Sequence, residues 1–350
     1  MNIKKYIEEL EEYVPGFQPD LEDPEVIKLN ANENPYPPSP LVYEAIRNMN
    51  IEKFRIYPES QSILLRRAIA KVYNTDVSEV FCGNGSDEVI SLIVKTFLEE
   101  GGNIVTPYPT YTVYKVSAAM EGISCTFVDV DENYEINVED LLNVKSDAIF
   151  LVNPNAPTGI LLSRDKIKYL LDNYNGLVVI DEAYMDFSDK DETMIKYIND
   201  YSNLIVMRTM SKSYSLCGAR VGFCFANRKL IGYLDKCRDS YNINYVSQIV
   251  GIASVEDQKY HLETIEAIKR NRTYLEKCLK ELNFDVIPSN TNFILCTPRG
   301  KKASEIVKEL EKYKIYIRFF NSPRIDDKLR ITVGTKDNID KLISALKDIL

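Results

Sequence analysis

The sequence predicts an α/β protein with a mostly parallel sheet covered by helices on both faces, followed by a smaller C-terminal αβ domain. From about residue 40 to 230, short runs of apolar and β-branched residues alternate with longer segments of helical periodicity. Strands that are apolar on both faces and alternate with helices are typical of such a covered parallel sheet. After a long charged helical segment at 257–282, shorter strands and helices indicate a second unit.

Strands and helical segments alternate along the predicted large domain. Helical periodicity covers 86–100, 110–122 and 163–176, and the last of these has an N-cap at Ser163 and a stop at Gly176. The predicted strands cover 79–83, 103–107, 124–130, 147–152, 177–182, 203–209 and 221–226. Since ligands bind beyond the carboxyl ends of strands in such sheets, residues that follow these strands are the candidate site residues.

The chain divides into three parts by composition. Residues 1–39 contain a short helix and an arm dense in Pro and Asn, which has no core of its own and is expected to pack on the small domain and a partner subunit. Residues 40–256 form the large domain that carries the candidate site, and 257–350 form a linking helix and the small domain. Predicted small-domain strands and helices cover 284–288, 292–297, 303–313, 316–320, 329–335 and 337–350.

Composition excludes several function classes. The 43 Lys and Arg residues against 52 Asp and Glu residues give a net charge of −9, which disfavours nucleic acid and anionic membranes as partners. The single histidine, His261, excludes a site with several histidine ligands, and we expect no metal. Because His261 lies in a charged helical stretch without a nucleophile motif, we expect it on the surface of a helix.

The cysteine pattern and the hydropathy indicate a cytoplasmic protein. The seven cysteines are scattered and form no CxxC pair, which is typical of a reducing compartment. The N-terminal segment contains no uninterrupted apolar region of the kind found in signal peptides. No apolar run approaches the roughly 18 residues that a membrane-spanning helix needs.

Three strand ends carry residues suited to chemistry. A helix begins at GNGSD (83–87), and its N-terminus can bind a phosphate. Glycine-rich turns between a strand and a helix are common, so this motif alone is weak evidence for anion binding. Asp181 and Glu182 end an apolar strand, where a carboxylate needs a cation or a protonated nitrogen, unless it caps the next segment. Lys212 follows another buried strand and is a candidate Schiff-base amine, whereas most lysines are solvated surface charges.

In order and spacing, the motifs GNGSD, PTY, NPNAPTG, DEAY, SKSYSLCGARVG and LRITVG resemble those of fold-type I aminotransferases that use pyridoxal 5′-phosphate. YVPG, LNANENPYP, RIYPES, YIRFF and LRITVGT are similar to segments of the histidinol-phosphate aminotransferase family. The resemblance implies the fold-type I large domain. It also implies conversion of L-histidinol phosphate and 2-oxoglutarate to 3-(imidazol-4-yl)-2-oxopropyl phosphate and L-glutamate in histidine biosynthesis.

Alternatives within the same branch of the family are an aromatic amino acid aminotransferase and a threonine-phosphate decarboxylase. Each of these enzymes needs a binding site for a ring or for a phosphate on the same scaffold. A nucleotide-binding or regulatory α/β protein is a further alternative. It is disfavoured because GNGSD is not GxGxxG and no Walker lysine follows it.

The resemblance implies a role for each cofactor-site residue. Lys212 would form the Schiff base and carry the proton, Asp181 would face the pyridine nitrogen, Tyr184 would bond the phenolic oxygen and Tyr111 would stack on the ring. Ala156 stands where most relatives carry Asn, so Asn155 is the predicted substitute. The predicted phosphate ligands are the backbone N–H groups of Gly85, Ser86 and Asp87 and the side chains of Ser211 and Arg220. The carboxylate of Asp87 is expected to point away from the phosphate.

The resemblance also implies substrate contacts. Arg330 and Arg318 would bind the substrate carboxylate or phosphate, because an arginine fork pairs with either oxyanion. Without the resemblance, each would be interpreted as a surface strand residue. Tyr57 and Tyr13 would reach in from the neighbouring subunit, which implies a homodimer with shared active sites.

Overall fold

In the computed structural model, which describes residues 3–10, 17–20 and 22–350, the strands belong to two sheets. In chain order they are β1 (Ile27–Leu29), β2 (Val80–Gly83), β3 (Asn103–Tyr108), β4 (Ser124–Asp129), β5 (Ala148–Val152), β6 (Leu177–Asp181), β7 (Leu204–Thr209), β8 (Gly222–Ala226), β9 (Phe284–Val286), β10 (Phe293–Pro298), β11 (Ile315–Phe319) and β12 (Leu329–Thr332).

The helices connect these strands and lie mostly where the periodicity predicts them. In chain order they are α1 (Lys5–Glu8), α2 (Pro40–Arg47), α3 (Ile63–Tyr73), α4 (Ser86–Phe97), α5 (Val113–Met120), α6 (Val138–Leu142), α7 (Arg164–Asp172), α8 (Arg228–Cys237), α9 (Tyr245–Glu256), α10 (Gln258–Glu281), α11 (Ala303–Leu310) and α12 (Lys336–Ile349). Ser163 caps α7 as predicted, but the helix ends at Asp172, before the predicted stop at Gly176.

The seven-stranded sheet confirms the predicted fold class. Its strand order is β2-β8-β7-β6-β5-β3-β4. The strands from β7 to β4 run parallel, and β8 is antiparallel to both of its neighbours. β5, β6 and β7 are buried along their whole length, as expected for strands covered on both faces. β4 is partly exposed on both faces because it forms the edge of the sheet.

The smaller sheet has five strands in the order β1-β11-β12-β10-β9. β1 comes from the N-terminal arm and pairs in parallel with β11, with Ile27 opposite Ile315 and Leu29 opposite Ile317. Both aliphatic residues of β1 are buried. The arm therefore supplies a strand to the sheet that the C-terminal part of the chain builds.

His261 is buried in α10, with 6% of its surface exposed, so the expected surface position is wrong. Its imidazole stacks on the ring of Tyr214, with centroids 3.8 Å apart and planes 2° from parallel. Arg272 is buried in α10 as well, and the side of the helix that carries His261 packs against the loop after β7. Burial lowers the pKa of His261 and favours the neutral imidazole.

Within the described residues, no helix combines the length and the apolar character needed to cross a bilayer.

Candidate active site

Two adjoining cavities open at the carboxyl ends of the central parallel strands. The inner cavity, of about 170 Å³, contains Asp181, Ser86, Asp87, Ser211 and Arg220 in its lining. The outer cavity, of about 350 Å³, contains Arg318 and Arg330 in its lining. Both cavities are lined by Ala31, Tyr111, Ala156, Tyr184 and Lys212. The reactive groups predicted from the sequence thus meet at one edge of the sheet.

Asp181, the last residue of β6, is 4% exposed and lines the inner cavity. Its Oδ2 accepts a hydrogen bond from the Tyr114 hydroxyl at 2.9 Å, and its Oδ1 accepts one from the backbone N–H of Ala183 at 3.1 Å. Burial raises the pKa of Asp181 to about 6, although both hydrogen bonds favour the carboxylate. The carboxylate is therefore held in place but needs a positive partner.

Replacing Tyr114 with phenylalanine is expected to weaken cofactor binding most on the acid side of neutrality. The Tyr114 hydrogen bond lowers the pKa of Asp181, so its loss raises that pKa above about 6. Below this pKa the carboxyl group is neutral and cannot pair with a protonated ring nitrogen, so affinity falls with falling pH. Fluorescence titration of the apoenzyme with pyridoxal phosphate from pH 5 to 8 measures the pH midpoint at which cofactor affinity falls.

The wild-type chain is the control for that titration, because the ionisations of the cofactor itself are common to both proteins. A midpoint that does not move upward in Tyr114→Phe would mean that Tyr114 does not influence the charge of Asp181.

Two glycines allow close approach around the start of α4. Gly85 has φ +89°, and a Cβ atom there would lie 2.5 Å from Nη2 of Arg220. A Cβ on Gly222 would lie 2.3 Å from the backbone nitrogen of Ser86. The first turn of α4 can therefore present its free N–H groups beside a guanidinium, an arrangement suited to an anion such as a phosphate.

The carboxylate of Asp87 faces this candidate anion-binding site at the start of α4, contrary to the expectation that it points away. Oδ2 accepts a hydrogen bond from Nη2 of Arg220 at 3.2 Å, and Oδ1 accepts one from the hydroxyl of Tyr111 at 3.0 Å. A carboxylate in the first turn of a helix is favoured by the helix dipole and by the nearby cation. Because both partners of the ion pair are about half exposed, the pair is weak enough for an incoming anion to compete with it.

Lys212 lies where the inner and outer cavities meet. It follows β7, and its amine donates to the backbone oxygen of Ala31 at 3.3 Å. The amine is 6.0 Å from the ring centroid of Tyr184, whose hydroxyl accepts a hydrogen bond from the side-chain amide of Asn32 at 3.0 Å. The N-terminal arm therefore supplies contacts to both Lys212 and Tyr184.

The outer cavity carries a pair of arginines. Arg318 on β11 and Arg330 on β12 are direct partners in the antiparallel register. Each guanidinium lies 5.3 Å from the ring centroid of Phe320, and Nη2 of Arg330 donates to the backbone oxygen of Asn30 at 3.0 Å. Two adjacent guanidinium groups with an aromatic platform concentrate positive charge at this end of the site.

Among the described residues, the predicted site side chains of Asn155 and Tyr57 line neither cavity. The side-chain amide of Asn155 is buried and donates to the Pro109 oxygen at 3.1 Å and to the Thr158 hydroxyl at 2.9 Å, while Ala156 lines both cavities. Tyr57 is 78% exposed and stacks on Tyr241. Tyr13 lies outside the described residues.

Sequence reasoning missed Tyr114, Ala31 and Asn32. The spacing of Tyr114 on α5 is that of a core residue, and nothing in the sequence distinguishes it from one. Ala31 and Asn32 belong to the segment LNANENPYP, which carries part of the family resemblance but by itself indicates no role in the site. The buried position of Asn32 and its bond to Tyr184 show that this part of the arm belongs to the site.

The residues of the inner cavity fit pyridoxal phosphate, the cofactor that the resemblance implies. A buried carboxylate with a raised pKa is suited to a protonated ring nitrogen. The glycine-shaped start of α4 and Arg220 are suited to a phosphate. An amine and a phenol, those of Lys212 and Tyr184, lie on the same cavity wall. These residues would hold the group between Asp181 and the start of α4.

Comparison with known proteins defines the family. The aminotransferase class I and II family matches residues 24–346, so the chain belongs to this family. Within it, the chain belongs with the histidinol-phosphate aminotransferases. It is 43% identical to the histidinol-phosphate aminotransferase of Acinetobacter baumannii (strain AYE), over 98% of this chain and 96% of that protein. It is 39% identical to the corresponding protein of Synechocystis sp., over 99% and 97%.

Solved structures show the same architecture. The histidinol-phosphate aminotransferase of Sinorhizobium meliloti, in complex with pyridoxal 5′-phosphate, superposes with a TM-score of 0.86 and 25% identity, covering 93% of this chain and 92% of that one. The Clostridium acetobutylicum enzyme gives a TM-score of 0.86 and 26% identity, covering 93% and 99%. Both are fold-type I aminotransferases, which confirms the predicted fold.

Proposed function

We propose that this protein is a pyridoxal-phosphate-dependent aminotransferase that transfers the amino group of L-histidinol phosphate to 2-oxoglutarate in histidine biosynthesis. The observation that carries the proposal is the pair Arg318 and Arg330, which lines the outer cavity together with Lys212. A substrate that bears a phosphate suits this pair in one half-reaction, and dicarboxylates suit it in the other. The names of the relatives at 43% and 39% identity support the same substrate.

The cofactor supplies an aldehyde through which amino groups are exchanged and a ring that accepts electrons from the substrate carbon. Asp181 would hold a proton on the ring nitrogen through its carboxylate, which Tyr114 and the Ala183 N–H keep in place. Tyr184 would donate to the phenolic oxygen and Tyr111 would pack on the ring. The phosphate would be held by the backbone N–H groups of Gly85, Ser86 and Asp87 and by the side chains of Ser211 and Arg220, with Arg220 released from the Asp87 carboxylate.

Lys212 would do the proton work. Its amine lies at the wall shared by both cavities, so it can reach the cofactor on one side and the substrate on the other. As a free amine, its Nζ would take a proton from the reacting substrate carbon and, as the resulting ammonium, would give that proton back during the same half-reaction. This assignment gives the acid–base role to an amine in a chain whose single histidine is buried elsewhere.

Replacing Arg318 with alanine is expected to lower kcat/KM for L-histidinol phosphate about 10- to 100-fold, the usual effect of losing a charged hydrogen bond. For L-histidinol, which lacks the phosphate, the same variant should change kcat/KM little. Steady-state kinetics with 2-oxoglutarate as acceptor provide both values. Arg299→Ala is the matched control, since Arg299 forms an exposed ion pair with Asp285 at 2.7 Å. Equal losses with both substrates would contradict a phosphate-binding role.

We also propose a homodimer with shared active sites. The segment 41–64 exposes a cluster of large apolar side chains, which is typical of a protein–protein interface. Its members are Leu41, Tyr43, Ile46, Ile51, Phe54, Ile56, Tyr57 and Leu64. In such a dimer, Tyr57 of one subunit would line the outer cavity of the other subunit. Tyr13, from the N-terminal arm, would do the same.

Subunit complementation tests the shared site. A mixture of inactive Lys212→Ala and weakly active Tyr57→Ala proteins should regain activity after subunit exchange, because each heterodimer contains one site with both residues intact. The regained activity should approach about a quarter of the wild-type value at equal mixing, because random exchange of two-fold symmetric subunits makes half of the dimers heterodimers with one intact site each. No gain in mixtures with demonstrated heterodimers would contradict a role for Tyr57 across the interface.

We place the enzyme in the cytoplasm, where a reducing environment would keep its seven thiols free. Its partners would be small-molecule substrates and a second copy of the chain. The net charge of −9 disfavours nucleic acid and anionic membranes as partners.

A further inference from the structure

A buried ionic cluster lies beside the Lys212 segment and has no part in the mechanism above. Its centre is Arg208 on β7, whose Nε donates to Oε2 of Glu182 at 3.0 Å and whose Nη1 donates to Oδ1 of Asp186 at 2.6 Å. The Arg208 side chain is 6% exposed and that of Glu182 is 0% exposed. Buried charges are costly unless they are fully paired, so this arrangement has a definite geometry.

Asp186 connects this cluster to the residue that follows Lys212. Its second oxygen, Oδ2, accepts a hydrogen bond from the hydroxyl of Ser213 at 2.6 Å, and Ser213 is 1% exposed. The backbone oxygen of Ser213 accepts a further bond from the side-chain amide of Asn34 at 3.1 Å. The peptide that leaves Lys212 is thus held from the large domain by Asp186 and from the N-terminal arm by Asn34.

Asp186 also faces α10. Nε2 of His261 lies 3.8 Å from Oδ2 of Asp186. Burial alone would raise the pKa of Asp186, but the Arg208 guanidinium, His261 and the bonds from Ser213 and Arg208 hold it below its usual range. The charged and titratable groups around Asp186 in the described chain are Arg208, with Glu182 behind it, His261, and the buried phenols of Tyr73 and Tyr214. In this setting Asp186 is an anion that accepts hydrogen bonds at fixed positions.

The Lys212 amine itself depends on its backbone for placement. Its side chain makes a hydrogen bond of 3.3 Å to the Ala31 oxygen, which is long for a charged donor. On the N-terminal side, the N–H of Ser211 donates to the Thr209 hydroxyl at 3.1 Å. Fixing Ser211 and Ser213 fixes the Cα atom of Lys212 between them.

We propose that Asp186 is a positioning residue for Lys212, acting through its hydrogen bond to Ser213 while Arg208 holds the carboxylate in place. This inference rests on the proposed function, because it takes Lys212 as the reactive amine. Since proton transfer requires the amine at hydrogen-bond distance from the reacting carbon, small displacements of the Lys212 backbone reduce turnover more than they reduce substrate binding.

The test uses Ser213→Ala in the holoenzyme, with Thr193→Val as the matched control. Thr193 belongs to the same cluster but bonds other members of it than Asp186, since its hydroxyl donates to Oε2 of Glu182 at 2.7 Å and accepts from Nη2 of Arg208 at 3.3 Å. We expect Ser213→Ala to lower kcat about 10-fold and to leave KM for histidinol phosphate within about twofold. It should also move the pH midpoint of the visible absorption band of the bound cofactor. Thr193→Val should lower the melting temperature but change neither kcat nor the midpoint.

A double-mutant cycle separates positioning from fold support. If Asp186 acts through Ser213, Asp186→Asn should lower kcat much less in the Ser213→Ala background than in the wild-type background. If Asp186→Asn does not fold, the comparison between Ser213→Ala and Thr193→Val still tests whether the hydrogen bond from Ser213 to Asp186 positions Lys212.

Wild-type kcat and an unmoved midpoint in Ser213→Ala would overturn the proposal, as would equal losses in Thr193→Val. These outcomes differ from failure of the proposed function, in which the wild-type protein itself would show no visible band and no amino transfer from histidinol phosphate.

Discussion

Replacing Lys212 with alanine is expected to abolish the visible absorption band of the purified protein and to lower amino transfer by at least about a thousandfold. The variant removes the amine that lies at the wall between the two cavities, and no other lysine lines either cavity in the described part of the chain. Proton transfer to and from the substrate carbon then has no positioned base. Absorption spectroscopy and steady-state kinetics on the same preparation measure both effects.

Lys212→Arg separates the amine from its charge. This variant keeps a cation at the position but has no nucleophilic nitrogen, because a guanidinium stays protonated at all accessible pH values. It should behave like Lys212→Ala in both measurements. If either variant kept the band and a substantial part of the turnover, Lys212 would not be the amine that the mechanism requires.

Replacing Asp181 with asparagine is expected to weaken cofactor binding and, at saturating cofactor, to lower kcat by about a hundredfold or more, as is usual when a fixed charge that stabilises a transition state is removed. The amide has the shape of the carboxylate but no charge. The variant can still accept the 2.9 Å hydrogen bond from Tyr114, but it does not hold the ring nitrogen protonated. Single-turnover kinetics at saturating substrate measure the chemical step.

Asp191→Asn is the control for that loss, because Asp191 is an exposed carboxylate paired with Lys196 at 2.7 Å. Tyr114→Phe should lie between wild type and Asp181→Asn, since it perturbs the same carboxylate without neutralising it. Near-normal kcat in Asp181→Asn would contradict the assignment of Asp181 to the ring nitrogen.

The parts of the site that follow strands could be predicted from the sequence. Asp181 and Lys212 each come directly after a run of apolar β-branched residues, and parallel strands bring their carboxyl ends to one edge. The order of strands in the sheet then places β6 and β7 side by side. Arg220 and Ser86 line the same cavity because β8 pairs with β2. Gly85 leaves room for the Arg220 guanidinium, and Gly222 leaves room for the backbone of Ser86. The local sequence pattern and the sheet topology together are sufficient to predict that these residues belong to the site.

Other features depend on tertiary contacts that leave no local pattern. Tyr114 has the spacing of a core residue, and only its tertiary contact with Asp181 at the end of β6 gives its hydroxyl a partner. His261 lies in a charged helix, and its burial results from the loop after β7 that packs on it. The orientation of the Asp87 carboxylate depends on Arg220, which is 133 residues away in the chain. Sequence alone cannot assign such long-range pairs.

The most direct test of the central claim compares amino donors with 2-oxoglutarate as acceptor. Steady-state kcat/KM is measured for L-histidinol phosphate, phenylalanine, tyrosine and threonine phosphate, and glutamate and the keto product are quantified together. We expect L-histidinol phosphate to give the highest kcat/KM, with one glutamate formed for each molecule of 3-(imidazol-4-yl)-2-oxopropyl phosphate. A clear preference for phenylalanine or tyrosine, or release of carbon dioxide from threonine phosphate as the main reaction, would contradict the proposed function.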